Sequence, residues 1–313
     1  MQIPKFSFLT LFTIAVGFIG CTNSIDPVEE EWVLLIQNVK RPDIGAIKRK
    51  SVTPAGALDK IVTEVDGEQY AHSSPGVRQY LYDTLGRLVG FADQLLPENS
   101  PPGLCDVIYE YKDDRIFRLY YTVRGEGYWG DLDPGLSMRE FVYDRHNRVT
   151  KTYSYYVDGN GLARMDEDNT YTLQYDQEGR LTEIRTAGIT NLRTIYTYSG
   201  KNLMSSTLTY NESEKVIAEH RSEYRYDDIA NGLKGLPEIP KLFQPGSAFL
   251  DQVFGANNLV SIKTVSNFFS ANIEASESNV DYKNTFDQAG RVIEKVADFK
   301  DNTPLVKNSY HYK

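Results

Sequence analysis

The chain has 313 residues, with 34 Lys and Arg against 43 Asp and Glu and a formal net charge of −9, a balance that sets it against nucleic-acid backbones, which are bound by clustered basic side chains. Two cysteines are too few for a disulfide-stapled scaffold, and the length is ample for a large apolar core. No HExxH, G-x-S-x-G, phosphate-loop or paired-cysteine pattern occurs and the four histidines (His72, His146, His220, His311) are scattered, so the expectation is a non-enzymatic protein with no metal and no cofactor.

The first element is a secretory signal. Lys5 supplies a positive charge, and Phe6 to Ile19 is an uncharged, mostly apolar run, shorter than the roughly 20 residues a membrane-spanning helix needs. Phe18-Ile19-Gly20-Cys21 follows, and it resembles the bacterial lipobox, in which small or apolar residues precede a cysteine that is acylated and becomes the new N-terminus. The resemblance implies lipid attachment at Cys21, removal of residues 1–20, and a body tied to the outer membrane on its periplasmic or cell-surface side. Because residues 1–20 hold Lys5 and no acid, removing them takes the charge from −9 to −10. Two or more acyl chains anchor stably where one is marginal. Residues 21–33 are polar and acidic; they read as a tether, and loosely resemble signals that export lipoproteins to the cell surface. With Cys21 lipidated, Cys105 has no partner and is expected to be a small buried hydrophobe.

Residues 34–313 read as one repeat-built domain. Tyr82-Asp83-Thr84-Leu85-Gly86-Arg87-Leu88 recurs from Tyr143, Tyr175 and Phe286, with weaker versions from Tyr111, Tyr198, Tyr226 and Phe254. Aromatic residues alternate before each turn, as in Tyr80/Tyr82, Phe141/Tyr143 and Tyr224/Tyr226, so they share one face of an extended strand, while Gln79, Glu140, Glu223 and Arg225 share the other. That is an antiparallel sheet with one packed face and one wet face. The Asp holds a turn, the Gly or Asn before Arg takes positive φ, and Arg opens the return strand with its stem free to cover a neighbouring ring. Eight such stations give roughly sixteen strands, and a sheet that wide must curl or close. The expected fold is therefore an all-β, up-and-down antiparallel meander closed into a large barrel. Its wet face is too charged to meet lipid.

Three segments stand out from the rhythm. Residues 228–256 bring three prolines and a short helical pattern at Ser247–Phe254, and are expected to form an apolar plug. The loop from Gly125 to Gly135 combines Tyr128, Trp129 and Asp131, a composition suited to sugar stacking and equally to a long surface hairpin. Asp158, Asn160 and Glu167 fall at the third, fifth and twelfth positions of a calcium loop, but Tyr156 stands where its first acid belongs, so a polar hairpin tip is the expectation.

The tyrosine–aspartate units with Gly-Arg-Leu resemble the YD repeats of Rhs-type proteins. Together with the lipobox, they are similar to a family of uncharacterised Gram-negative envelope lipoproteins with a porin-like β fold. The resemblance implies hairpins and says nothing of activity. Two functions follow as expectations: a non-catalytic envelope protein that binds a glycan, lipid or protein and no nucleic acid, or a polysaccharide hydrolase built on paired carboxylates.

Overall fold

Each tyrosine–aspartate unit forms a hairpin, and the hairpins join edge to edge. The computed structural model describes residues 35–40, 42–66, 76–95, 104–124, 136–186, 191–212, 215–230, 256–269, 273–299 and 305–313. A two-residue strand β1 (Leu35–Ile36) and a helix α1 (Ile44–Lys50) lead into β2 (Leu58–Asp66), β3 (Gly76–Tyr82), β4 (Leu88–Leu95), β5 (Leu104–Lys112), β6 (Arg115–Arg124), β7 (Leu136–Tyr143), β8 (Val149–Val157) and β9 (Ala163–Tyr175). The chain continues through β10 (Leu181–Thr186), β11 (Asn191–Ser199), β12 (Asn202–Glu212), β13 (Lys215–Ala230), β14 (Asn257–Phe268), β15 (Ile273–Phe286), β16 (Val292–Phe299) and β17 (Leu305–Tyr312).

From β2 to β17 every strand pairs antiparallel with its sequence neighbours, and β17 returns to β2 from Leu305↔Asp66 to Tyr312↔Leu58. Seventeen strands less β1, which only pairs with Arg164 and Ala163 at the end of β9, leave a closed barrel of sixteen. The expected meander and its closure are both present. The described helix is not the expected one: Ser247–Phe254 lies outside the described residues, and residues 228–230, expected to open the 228–256 insert, belong to β13. Residues 1–33, with the expected signal, Cys21 and the expected tether, also lie outside them, as does the Cys105 side chain.

The aromatic face is the inside. One buried cluster draws Ile61, Tyr80, Phe91, Val107, Tyr109, Leu119, Phe141, Leu173 and Tyr310 from β2 to β7, β9 and β17, and a second joins Leu203, Tyr224, Leu259 and Ile262 on β12 to β14. Side chains directed inward cover one another, and on the opposite face the cross-strand row Ile108, Tyr120, Met138 and Tyr155 of β5 to β8 is buried as well. The opposite face carries charges in cross-strand pairs: Lys307–Glu64, Arg118–Glu140, Arg193–Glu183 and Lys263–Glu277. Along β3 to β9 this outer face meets the N-terminal segment. Val39 N–H donates to the Gly161 carbonyl (2.9 Å), Lys48 of α1 lies 3.9 Å from Asp106, and the Ser51 hydroxyl accepts from the Tyr82 N–H (2.8 Å). Asp43 caps α1 through Ala46 N–H (2.9 Å), so the segment has its own local order.

The turns explain the repeat residue by residue. In the first, Asp83 Oδ1 accepts from the N–H groups of Leu85 and Arg87, Oδ2 accepts from Arg87 Nε (2.8 Å), and Gly86 sits at φ +77°. Asp144/Arg148, Asp176/Arg180 and Asp287/Arg291 repeat this, with Asn147 replacing glycine at φ +63°. Five of the tyrosines ahead of a turn reach back one hairpin. Tyr111, Tyr143, Tyr175, Tyr198 and Tyr312 donate through their hydroxyls to the carbonyls of Leu88, Ile116, Val149, Leu181 and Val292, each the residue just after an Arg. Those arginines, Arg87, Arg115, Arg148, Arg180 and Arg291, lie over the same rings at 4.5 to 5.6 Å. At these five places one hairpin therefore holds the ring of the next.

Each return strand also carries a bulge. Leu81 pairs with Gly90 but Tyr82 with Leu88, and the same skip passes over Phe117, Thr150, Thr182, Met204 and Ile293. The bulge shifts the inward phase by one, so Leu88, Phe91 and Asp93 face inward, and Met204 (43%) and Ile293 (37%) are left exposed. At the seam the same turn is made without a connecting chain. Gly56 (φ +76°) donates to the Lys313 carbonyl at 2.5 Å, Lys313 donates to Ala57, and the Tyr82 hydroxyl donates to Leu58. The first two are the bonds Gly86, Asp83 and Arg87 make within one turn.

Candidate functional site

The inside of the barrel is divided along its length. Next to the tight turns it is filled: Tyr82, Leu88, Ile116, Val149, Leu181, Val292 and Leu203 are all buried. Farther along, polar groups enter. Arg78 makes a two-pronged ion pair with Asp93, both bonds at 2.7 Å, and stacks over Phe91 at 4.2 Å. Burial alone would depress this guanidinium, but the hydrogen bonds and charge of Asp93 overcome it and raise its pKa. Arg139 lies over Tyr171 (4.9 Å) and donates to Ser154 (3.0 Å), and its surroundings lower its pKa, chiefly through desolvation. Lys295 is buried over Tyr282 at 4.4 Å. Tyr80 and Tyr310 have raised pKa values because water is excluded around them.

On β11 to β15 the interior surface changes character toward the ends away from the tight turns. Three cross-strand rows, read from the register, face inward. The deepest is Tyr196–Ser206–Ser222–Thr264–Ser278, the next Thr194–Leu208–His220–Ser266–Ser276, and the outermost Leu192–Tyr210–Ala218–Phe268. Below them lies the buried Tyr224–Ile262 pair of the second core cluster. Apart from buried Ala218, these side chains are half-buried or, at Ser276 and Ser278, exposed. The patch is thus reachable by solvent on a face that is sealed beside the tight turns, and so is Tyr156 at the same end of β8.

Its hydroxyls are ordered in pairs. Ser206 bonds Tyr224 (2.7 Å), Ser222 bonds Thr264 (2.9 Å), and His220 Nδ1 bonds Ser266 (2.7 Å). The His220 ring stands edge-on between Tyr210 and Phe268, at centroid separations of 5.5 and 5.6 Å. A pairwise bond uses one proton of two hydroxyls, which leaves each pair a donor and several acceptor sites. Arg193, Arg221, Lys263, Glu219 and Glu277 on the same strands belong to the opposite, outer face. The inner patch is therefore neutral, polar and aromatic. Ser266 and His220 would resemble a nucleophile and base, but the flanking groups of His220 are rings and no carboxylate orients it among the described residues.

Sequence reasoning did not single out this patch. Tyr128, Trp129 and Asp131, the residues expected to bind a ligand, lie outside the described residues, as does Cys21, the expected acylation site. The calcium pattern resolves as a turn: Asp158 Oδ1 accepts from the N–H groups of Asn160 and Leu162, Gly161 takes φ +76°, and among the described residues no three acidic, histidine or cysteine side chains gather as metal ligands. The signal in reach was the density of Ser and Thr in stretches such as Ser205-Ser206-Thr207, which looks like ordinary polar strand until pairing reveals which residue faces inward.

A scan against protein-family models finds no match, and neither does a search of curated proteins. Solved structures do resemble the chain. A porin-like protein from Bacteroides uniformis shares 18% identity over 84% of this chain and 100% of its own, with a TM-score of 0.49. A second, from Bacteroides vulgatus, shares 11% over 82% and 98%, with a TM-score of 0.40. The TcdB2–TccC3 structure shares 10% over 75% of this chain and 15% of its own, with a TM-score of 0.23. These likenesses concern the fold alone. The barrel itself stands on its own strand register.

Proposed function

We infer that this is a non-catalytic, lipid-anchored envelope protein whose barrel binds a ligand through the open part of its interior. The observation that carries the reading is the division of one face of the sheet: sealed and apolar beside the tight turns, hydroxyl-lined and solvent-reachable on β11 to β15. The charged outer face supports a body in water beside a membrane and not within it, since a basic residue near the bilayer midplane costs about 2–4 kcal/mol. The anchor rests on the lipobox at Cys21 and the short apolar run before it. A lipid label incorporated into the full chain and lost in Cys21→Ser tests the anchor. Thermal-shift screening of the purified chain against neutral oligosaccharides, anionic oligosaccharides and phospholipid vesicles tests binding, and a chain that none of them stabilises refutes it.

A further inference from the structure

We propose that the inner patch of β11 to β15 is a binding site for a neutral oligosaccharide, an inference that rests on the binding reading above and specifies its ligand. Three properties of the patch converge on this chemistry.

First, the patch has no charge. Its inward residues are Ser, Thr, Tyr, Leu, Ala, Phe and His220, while the cations and anions of these strands, Arg193, Arg221, Lys263, Glu219 and Glu277, face outward. An anionic sugar, a phosphate or a nucleotide would find no counter-charge there, and a barrel that holds Arg78 and Lys295 elsewhere in its interior keeps them off this wall.

Second, its polar groups are hydroxyls fixed in pairs. Ser222 with Thr264, and Ser266 with His220, each retain a donor and open acceptor positions, and His220 Nε2 has no hydrogen-bond partner among the described residues. Sugar hydroxyls are likewise donor and acceptor at once, so each match is reciprocal. An acyl chain laid on the same rows would leave Ser222, Thr264 and Ser266 without the water they now reach, which argues against a lipid tail.

Third, the rings lie at the outer border of the patch. Tyr210 and Phe268 flank His220 edge-on at 5.5 and 5.6 Å and are half-buried, so the three present a stepped apolar edge beside the hydroxyl rows. The C–H face of a pyranose packs on such an edge while its hydroxyls turn to the serines. Five strands at a spacing of about 4.8 Å make a row on the order of 19 Å long, an extent suited to several linked sugars rather than one.

The test uses the purified full chain on an array of neutral, uronic-acid and sulfated oligosaccharides with phospholipid vesicles alongside, followed by calorimetry with the tightest neutral hit. The expected result is neutral binding that Phe268→Ala and Tyr210→Ala each weaken at least tenfold. The paired substitutions Ser222→Ala and Thr264→Val, which preserve volume, weaken it several-fold, and the outer-face Thr207→Ala leaves it unchanged. If Phe268→Ala loses its native circular dichroism, the Ser222→Ala/Thr264→Val chain decides. Binding only of charged sugars or vesicles, weakened by the inner substitutions, overturns the carbohydrate assignment and leaves the binding reading standing. Neutral binding indifferent to all inner substitutions overturns the site. Binding of nothing overturns both.

Discussion

Replacing Tyr175 with Phe removes one atom and isolates the bond between consecutive hairpins. The Tyr175 hydroxyl donates to the Val149 carbonyl at 2.9 Å, Val149 is 4% exposed, and Arg148 lies over the ring at 4.9 Å. Phe keeps the ring beneath Arg148 and loses only the hydrogen bond, worth about 0.5–1.5 kcal/mol net and up to ~3 kcal/mol if the carbonyl is left with no partner. Tyr175→Leu also loses the cation–π contact, adding about 0.5–1 kcal/mol, and much of the ring's packing. In a chain of this size each kcal/mol lowers Tm by roughly 2–4 °C. Urea denaturation with the m-value held constant reads the change directly. Tyr82→Phe, whose hydroxyl bonds Leu58 across the seam, should cost a similar amount. If Tyr175→Phe and Tyr82→Phe both fall within about 0.3 kcal/mol of Leu85→Ala, a control at an exposed turn position, the hydroxyl bonds do not hold the hairpins together.

Three other outcomes follow from the same geometry. Arg78→Met leaves half-buried Asp93 without its partner and is expected to destabilise by about 1.5–3 kcal/mol, whereas Arg78→Met with Asp93→Leu recovers most of that loss; equal losses by thermal unfolding would contradict a coupled pair. At Asp176 and Asp287, the N–H groups of Arg180 and Arg291 are the largest influence and hold the carboxyls below their ordinary value of 3.8; at Asp83 and Asp144 burial opposes this, and the arginine hydrogen bonds prevail. Because the folded values are depressed, their stabilisation is complete above that ordinary value and is lost as pH falls through the folded values, so the urea midpoint should decline more gently in acid when all four are Asn; an unchanged acid limb would refute the assignment. Finally, Gly56→Ala puts a Cβ on a residue at φ +76° and should destabilise by about 1–2 kcal/mol, as Gly179→Ala should at φ +79° within a connected turn; a Gly56→Ala chain as stable in urea as the parent would count against the equivalence of the seam with an intact turn.

The repeat made the hairpins, their turns and the closed sheet legible, because Asp, Gly and Arg in Tyr82–Leu88 and its copies each do a local job that needs no tertiary context. The bulges were not legible. Strict alternation from Leu88 would turn Gly90 and Ala92 inward, whereas the register turns Phe91 and Asp93 inward, because Val89 is skipped where the return strand leaves its turn. The final station was hidden for another reason: its halves, Tyr312-Lys313 and Gly56-Ala57-Leu58, stand far apart in the sequence and meet only when the barrel closes. The candidate site escaped because Ser206, Ser222, Thr264 and Ser266 look like the wet face of a strand, and only the pairing places them with the aromatic face.

Closure of the barrel underlies both the sealed core and the open patch, and a cross-link across the seam tests it most directly. Val62 of β2 pairs with Ser309 of β17. In a chain carrying Cys21→Ser and Cys105→Ala, Val62→Cys with Ser309→Cys should form a disulfide on mild oxidation, seen as a faster-migrating monomer, and the mismatched pair Val62→Cys with Leu305→Cys should not. Equal cross-linking of the two pairs, or none of either, would contradict a closed sixteen-strand barrel.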